Sequence, residues 1–293
     1  MSVEVRIVNA FIDGASGGNP AGVVVAADGL SAVQKLKIAQ QVGLSETAFV
    51  SASSTATIKL EFFTPTRQIA HCGHATIATF SLLRQLGMVG EGHLSKETID
   101  GNRDIFIEGD MVFMEQRAPR YDTIAAGSNL GARVLASLGL AQTPVPGLMD
   151  PMVVNTGNSF LLVCLPDAKA VADLKPSLAM VESISEELDL IGYYVFSTDT
   201  CRPGRHAGAR MFAPRFGIAE EAGTGMAAGP LACLLHDHLG ISDQEILIEQ
   251  GWLMQPPSPS VIKVNLELSN GSIARLMAGG VARATSTLQV EVE

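Results

Sequence analysis

Residues 63–76 read FTPTRQIAHCGHAT, and residues 212–225 read FAPRFGIAEEAGTG. The offset between Phe63 and Phe212 is 149 residues in a chain of 293. Shorter motifs also repeat in the same order: GNP at 18–20 matches GNS at 157–159, and LG at 86–87 matches LG at 239–240. Self-similarity over such a long period predicts two related halves. We expect a cleft between them.

Local patterns predict strands and helices in both halves. Residues 3–11 alternate apolar and polar side chains, residues 22–26 are an apolar run, and the turn 17–20 between them predicts a hairpin. Ser31 is a predicted N-cap for a helix that Gly43 ends. Further helices are predicted over about 73–86 and 223–239, and further strands over 44–50, 59–64, 157–165, 193–197 and 210–212.

These elements predict an α+β fold of two pseudo-symmetric halves. We expect the first half at residues 1–120 and the second at residues 121–280. Between 118 and 150 the chain passes from one half to the other, and the proline-rich segment 143–146 is predicted to be an exposed connection. The C-terminal strand, 281–293, can be added to the first half, although its sequence allows it to pack with either.

Composition narrows the classes of partner. The chain has a formal net charge of −10 and a pI near 5.1, so it lacks the basic surface that nucleic-acid binding needs. Apolar runs such as 222–235 are shorter than the roughly 20 residues of a membrane helix, and the N-terminus is typical of a strand and not of a signal peptide. We expect a cytoplasmic protein with a small-molecule partner and no nucleic-acid or membrane partner.

The spacing of the cysteines and the absence of phosphate-binding motifs argue against several kinds of site. The four cysteines at 72, 164, 201 and 233 form no CxxC pair, which argues against a disulfide framework or a structural zinc site. His71, Cys72 and His74 lie too close along the chain to converge easily on one ion. The chain has no GxGxxG after a strand and no GxxxxGK[ST]. We therefore predict no metal and no cofactor.

One carboxylate stands out in the extended segment 44–50. Alternate side chains of a strand share a face, so Glu46 is predicted to share an apolar face with Leu44, Ala48 and Val50. Burial raises the pKa of a carboxylate, and a value of about 6 to 7 allows it to accept and return a proton near neutrality. The alternative is a partly solvated glutamate at the start of a strand.

The two helices that follow the repeated stretches each begin in a glycine-rich turn. Helix N-termini offer backbone N–H groups and the positive end of the helix dipole, so each start is a predicted anion site. A substrate carboxylate or an enolate oxygen would suit both.

Four motifs together resemble those of the phenazine-biosynthesis isomerase (PhzF-like) family, which has the diaminopimelate epimerase-like fold. They are GNPAG at 18–22, LSETAF at 44–49, CGHATIA at 72–78 and EEAGTG at 220–225. The resemblance covers nearly the whole chain. It implies two halves, each a mainly antiparallel sheet wrapped around a central helix, and a biosynthetic enzyme for which a homodimer is plausible.

The family's activity is the cofactor-independent isomerisation of trans-2,3-dihydro-3-hydroxyanthranilate, in which a proton moves and a ring double bond shifts. By resemblance, Glu46 is the catalytic acid/base, and His74 polarises the substrate or relays a proton. Substrate-binding positions implied in the same way are Asn19, Gly73, Glu221, Gly223, Thr224 and Gly225.

The second-half motif departs from the family pattern, which commonly reads Glu-Asp-Pro-x-Thr-Gly-Ser. Here Glu221 replaces the shorter aspartate, Ala222 and Gly223 follow it, and Met226 replaces a hydroxyl with a thioether. These changes keep two alternatives open. One is an amino-acid racemase or epimerase of the same fold, for which a second cysteine opposite Cys72 is missing. The other is a small-ligand-binding protein with a drifted site.

Overall fold

The structure is a computed structural model that describes residues 1–140 and 148–292. The predicted connection at 143–146 lies outside the described residues. The chain forms two compact units: the first comprises Met1–Glu115 and Gly279–Glu293, and the second comprises Gln116–Ala278.

Strands and helices are mixed in both units. The helices are α1 (Ala32–Val42), α2 (Gly73–Gln85), α3 (Asn129–Ser137), α4 (Ala168–Ala172), α5 (Leu178–Glu187) and α6 (Gly225–Leu239). The strands are β1 (Ser2–Ala10), β2 (Asn19–Val24), β3 (Thr47–Ser51), β4 (Ile58–Phe63), β5 (Gln68–Ile69), β6 (Gly92–Thr98), β7 (Gly101–Glu108), β8 (Met111–Arg117), β9 (Arg120–Thr123), β10 (Met152–Asn155), β11 (Ser159–Cys164), β12 (Gly192–Ser197), β13 (Ala207–Ala213), β14 (Ile218–Glu221), β15 (Glu245–Gln250), β16 (Ser260–Ser269) and β17 (Ser272–Glu291).

The first unit is a closed, mainly antiparallel barrel around a helix. Its strands pair in the ring β17–β1–β2–β3–β4–β6–β7–β8–β17, with the parallel pairings at β2–β3 and β4–β6. Helix α2 packs against β1, β2 and β3, and every residue from 73 to 83 is buried. This burial requires a helix that is apolar or small on all sides, as the sequence GHATIATFSLL is.

The second unit repeats this order of pairing. Strands β10–β11 and β12–β13 are antiparallel, β11–β12 and β13–β15 are parallel, and β15–β16 is antiparallel, each matching a pair in the first unit. Helix α6 occupies the place of α2 and is buried over most of its length. The predicted architecture of two similar halves, each a mainly antiparallel sheet around a central helix, is confirmed.

Local signals account for several boundaries. The predicted hairpin is the antiparallel pair β1–β2, and Gly18 in its connection has φ +87 and leaves no space for a Cβ beside the Ala10 carbonyl. Helix α1 has Ser31 as its N-cap in a capping box, and Gly43 ends it with φ 68. These predictions are confirmed.

Two predicted boundaries were wrong by a few residues. The strand expected over 44–50 begins only at Thr47, because the chain bends at 44–45 after the left-handed Gly43. The helix expected from 223 begins at Gly225, after an extended Thr224. Consequently, the two central helices start three residues further apart than the 149-residue offset of the repeated strands, and Cys72, the N-cap of α2, corresponds to Thr224, the N-cap of α6.

The C-terminal strand pairs with the first strand of the chain. Residues 282–291 of β17 run antiparallel to β1 from Ala10 to Ser2, with one irregularity between Ile7 and Val8. The same part of β17 belongs to the first unit, and this pairing helps to close its barrel.

None of the helices within residues 1–140 and 148–292 is long and apolar enough to cross a membrane.

Candidate active site

Glu46 lies immediately before β3 and is only 5% exposed. The backbone N–H of Gly22 donates to the Glu46 carbonyl at 3.1 Å, which extends the parallel β2–β3 pairing by one residue. Because side chains alternate along the strand, Glu46 shares a face with Ala48, whereas Phe49 packs on the opposite face against α1. The backbone therefore holds this carboxylate towards the interior of the barrel.

His74 is the second residue of α2 and is only 3% exposed. Its Nε2 lies 3.3 Å from Oε2 of Glu46. A carboxylate and an imidazole, two groups that commonly serve as proton acceptor and donor in catalysis, are thus in contact inside the first unit.

Cys72 is the N-cap of α2, and its Sγ lies 3.5 Å from Nδ1 of His74. One donor atom from each of Glu46, Cys72 and His74 falls within 4.8 Å of the others, a grouping that could hold a metal ion. However, the close contacts use opposite nitrogens of one ring, Nδ1 for the thiol and Nε2 for the carboxylate. This geometry suits a relay through the imidazole better than chelation, for which one nitrogen would face both partners.

The starts of the two central helices lack side-chain caps. The side chains of Cys72 and Thr224 make no cap hydrogen bond to their helices, and neither does Ser177 at α5, whereas α1, α3 and α4 are capped by Ser31, Ser128 and Asp167. The first-turn N–H groups of α2 and α6, which include those of Gly73 and Gly225, are therefore not satisfied by a capping side chain. Each helix start is suited to an anion.

In the second unit, Glu221 ends β14 and is 8% exposed, and Thr224 follows it at the helix start. The Thr224 hydroxyl donates to Oε2 of Glu221. Gly223, between them, is also buried. The structure thus brings together the four second-half positions that the sequence analysis named, which are Glu221, Gly223, Thr224 and Gly225.

Gln250, at the end of β15, organises this turn, and sequence reasoning missed it. Its Oε1 accepts from the Thr224 N–H at 3.0 Å and from the Tyr194 hydroxyl at 2.8 Å. Its Nε2 donates to the Glu221 carbonyl at 2.6 Å and to the Thr224 hydroxyl at 3.1 Å. The only signal for Gln250 in the sequence is the position of this glutamine at the end of a mainly apolar run.

Two further contacts fix the start of α6. Gln116 donates to the Gly225 carbonyl at 2.9 Å and accepts from the Thr156 hydroxyl at 2.7 Å. Nδ2 of Asn158, from the repeated GNS motif, approaches Sδ of Met226 at 3.6 Å. A thioether is a weak acceptor, so the substitution of serine by methionine leaves Asn158 with a weak partner at this position.

Asn19 is the first residue of β2 and is 4% exposed. Asn19 pairs with Ala10 of β1, and its own strand, β2, also pairs with β3. In the first unit the predicted site residues thus comprise Asn19, Glu46, Gly73 and His74, of which Glu46 and His74 are in direct contact.

Comparisons with known proteins identify relatives of this chain. The family model described as phenazine biosynthesis-like protein (PhzC-PhzF) matches residues 8–286. An uncharacterized isomerase, YddE, of Escherichia coli O157:H7 is 32% identical over 86% of this chain and 85% of its own length. The trans-2,3-dihydro-3-hydroxyanthranilate isomerase of Pseudomonas chlororaphis is 31% identical over 86% of this chain and 87% of its own length.

The crystal structure of a PhzF-family phenazine biosynthesis protein from Bacillus anthracis superposes with a TM-score of 0.88 at 26% identity, covering all of both chains. The match to the family model and the superposition on a family structure therefore both extend over nearly the full length of the chain. The chain belongs to the phenazine biosynthesis-like (PhzC-PhzF) family, and it is an isomerase of that family.

Proposed function

We propose that this isomerase moves a proton and a double bond on a small carboxylate-bearing substrate, similar to trans-2,3-dihydro-3-hydroxyanthranilate, without a cofactor. The observation that carries the proposal is the buried contact between Glu46 and His74, whose Oε2 and Nε2 are 3.3 Å apart. The name of the Pseudomonas chlororaphis relative supports the substrate class.

Glu46 acts as the acid/base. Its carboxylate removes a proton from a ring carbon, so that a C–H bond breaks, an O–H bond forms and the electron pair enters the conjugated system of the substrate. The protonated carboxyl group, after exchange with solvent or without it, then delivers a proton to a different ring carbon, which shifts the double bond and restores the carboxylate. A positioned acid/base of this kind contributes roughly 10²- to 10⁴-fold in rate.

His74 and the start of α2 stabilise the charge that develops on the substrate. While the electron pair is delocalised, negative charge accumulates on substrate oxygens, and an imidazole N–H or a first-turn backbone N–H can donate to them. The absence of a capping side chain at Cys72 supports this role for the Gly73 N–H.

The start of α6 is also suited to a carboxylate group. Thr224, Gly225 and the buried Glu221 form a polar turn whose first-turn N–H groups are not capped by a side chain. Glu221 and Met226 differ from the common family residues. We therefore assign the same type of reaction to this chain, on a substrate related to that of the named relative.

The test is to incubate the protein with trans-2,3-dihydro-3-hydroxyanthranilate in deuterated buffer and follow both product absorbance and deuterium on carbon. We expect turnover by the wild type and a loss of at least about 100-fold in Glu46→Gln, which keeps the shape but cannot carry the proton. The matched control is Glu108→Gln, an exposed carboxylate on β7 of the same barrel. Equal rates of turnover in the wild type and in Glu46→Gln would contradict the proposal.

A further inference from the structure

Lys96, on β6, is fully buried in the interior of the first barrel. Its Nζ donates to the Thr76 hydroxyl at 2.6 Å, lies 3.1 Å from Nδ1 of His71, and lies 5.0 Å from the centroid of the Phe62 ring. These partners are a hydroxyl, an imidazole and an aromatic face, and none of the three is a carboxylate. Burying an ammonium group with such partners is costly.

The internal repeat indicates that the fold does not need a lysine at this position. In the first unit, β4 and β6 pair in parallel with Ile58 opposite Lys96. In the second unit, the corresponding strands β13 and β15 pair with Ala207 opposite Ile248. Ile248 is fully buried, so the second unit has an ordinary apolar residue where the first unit has Lys96.

The next residue in each strand supports this alignment. Glu97 follows Lys96 and Glu249 follows Ile248, and both carboxylates accept hydrogen bonds from a nearby loop. Glu97 accepts from the Ser53 hydroxyl, and Glu249 accepts from the backbone N–H groups of residues 201 and 202. The shared glutamate fixes the register of the two strands, and in this register Lys96 stands where the second unit has Ile248.

The contacts of Lys96 lead directly to the segment that carries the candidate catalytic groups. The Thr76 hydroxyl, which accepts from Lys96, donates to the Cys72 carbonyl at 2.6 Å. His71, the other partner, immediately precedes Cys72. Lys96 thus binds the start of α2 from two sides.

We propose that Lys96 is a positioning residue, which holds residues 71–76 so that the His74 ring stays between Cys72 and Glu46. This inference rests on the proposed function, because it assigns Lys96 to the proton-transfer site described above. Lys96 acts through Thr76 and His71 and does not itself touch the reacting atoms.

The charged groups around Lys96 are consistent with this role. Burial, followed by the charges of Lys96 and Arg103, lowers the pKa of His71 well below its usual value, so its ring is neutral and Nδ1 can accept a hydrogen bond. Burial lowers the pKa of Lys96 to about 7, while Cys72 acts in the opposite direction and Arg103 lowers it further. Both the amine and the ammonium form carry N–H donors, so the contacts to Thr76 and His71 persist through this titration.

The decisive variant is Lys96→Ile, which gives the first unit the residue that the second unit has at the matching position. We expect a folded protein in which kcat falls about 10- to 100-fold while KM changes little, because a small displacement of a catalytic group is costly in rate. We also expect the ratio of wild-type to variant kcat to stay nearly constant across the pH range around 7, because the contacts of Lys96 persist through its titration. The control is Lys59→Met, a lysine on the adjacent strand β4.

A second readout does not depend on the substrate. Long-range ¹H–¹⁵N NMR spectra of the imidazole groups, assigned with His71→Asn and His74→Asn, report the tautomer and hydrogen bonding of each ring. We expect Lys96→Ile to shift the signals of both His71 and His74. If the wild type does not turn over the test substrate, the proposed function fails and the His74 signals still decide the role of Lys96. Unchanged His74 signals in Lys96→Ile would overturn the inference, as would an unchanged kcat in an active enzyme.

Discussion

Nε2 of His74 lies 3.3 Å from Oε2 of Glu46, and both side chains are almost completely removed from solvent. An isolated charge on either group would be costly at this depth, so the contact stabilises whichever ionised form is present. The same contact leaves a proton donor and a proton acceptor ready for exchange with a bound substrate.

Replacing His74 by glutamine is expected to lower kcat by about 10²- to 10³-fold with a smaller effect on KM, because the amide can donate a hydrogen bond but cannot relay a proton. Steady-state kinetics with the substrate of the proposed function provide the measurement. His93→Gln, which alters an exposed histidine on β6, serves as the control. A wild-type kcat in His74→Gln would show that the imidazole has no part in the reaction.

Cys72 is expected to orient the His74 ring and not to act as a base. Cys72→Ser keeps a polar atom beside Nδ1, so kcat should stay within about threefold of the wild type, whereas Cys72→Ala should lose about tenfold. A thiolate that removed the substrate proton would behave differently, since serine is a far weaker base and both variants would be inactive. Comparing the two kcat values distinguishes the roles.

Gln250→Leu is expected to lower the free energy of unfolding by about 3 kcal/mol or more. The substitution removes the partners of Thr224, Tyr194 and the Glu221 carbonyl and leaves these polar groups buried. Urea unfolding at neutral pH measures the change, with Gln244→Leu on the exposed surface as the matched control. Similar stabilities of the two variants would contradict the organising role of Gln250.

The stability difference between Lys96→Ile and the wild type is expected to depend on pH. Burial lowers the pKa of Lys96 from 10.5 to about 7, so between these values the unfolded chain binds a proton that the folded chain does not. The contribution of Lys96 to stability therefore rises with pH across this window, and its full cost applies below about pH 7. The advantage of Lys96→Ile should be greatest near pH 6 and smaller by a few kcal/mol at pH 10.

Unfolding free energies of both proteins at pH 6, 8 and 10 test this prediction. Taking the difference between the two proteins cancels the titration of all other groups to first order. A difference that is constant with pH would mean that Lys96 keeps an ordinary pKa in the folded state.

Much of the local structure could be predicted from particular residues. Ser31 and Gly43 delimit α1 because a capping side chain and a left-handed glycine act within one helical turn. The repeated stretches at 63–76 and 212–225 predicted two similar halves, each with a central helix. The predicted start of β3 was too early, because the chain bends at 44–45 after the left-handed Gly43. The alternation of apolar and polar side chains does not indicate such a bend.

The relationship of the helix starts also required coordinates. The sequence offset pairs Cys72 with Glu221, whereas the N-caps pair Cys72 with Thr224, because β14 is longer than β5. Gln250 and Lys96 were missed for a related reason. Each is a polar residue in a strand, and its partners come from elements that are distant along the chain.

The sequence by itself determined the repeat, several of the helices and strands, and the burial of the glutamate that precedes β3, because the order and spacing of side chains along the chain carry these features. Only the tertiary structure decided that β17 pairs with β1, that Glu46 meets His74, and that Lys96 binds Thr76 and His71. These contacts depend on which strands close the barrel around α2. Closure is selected by the packing of the whole barrel, which no local pattern contains.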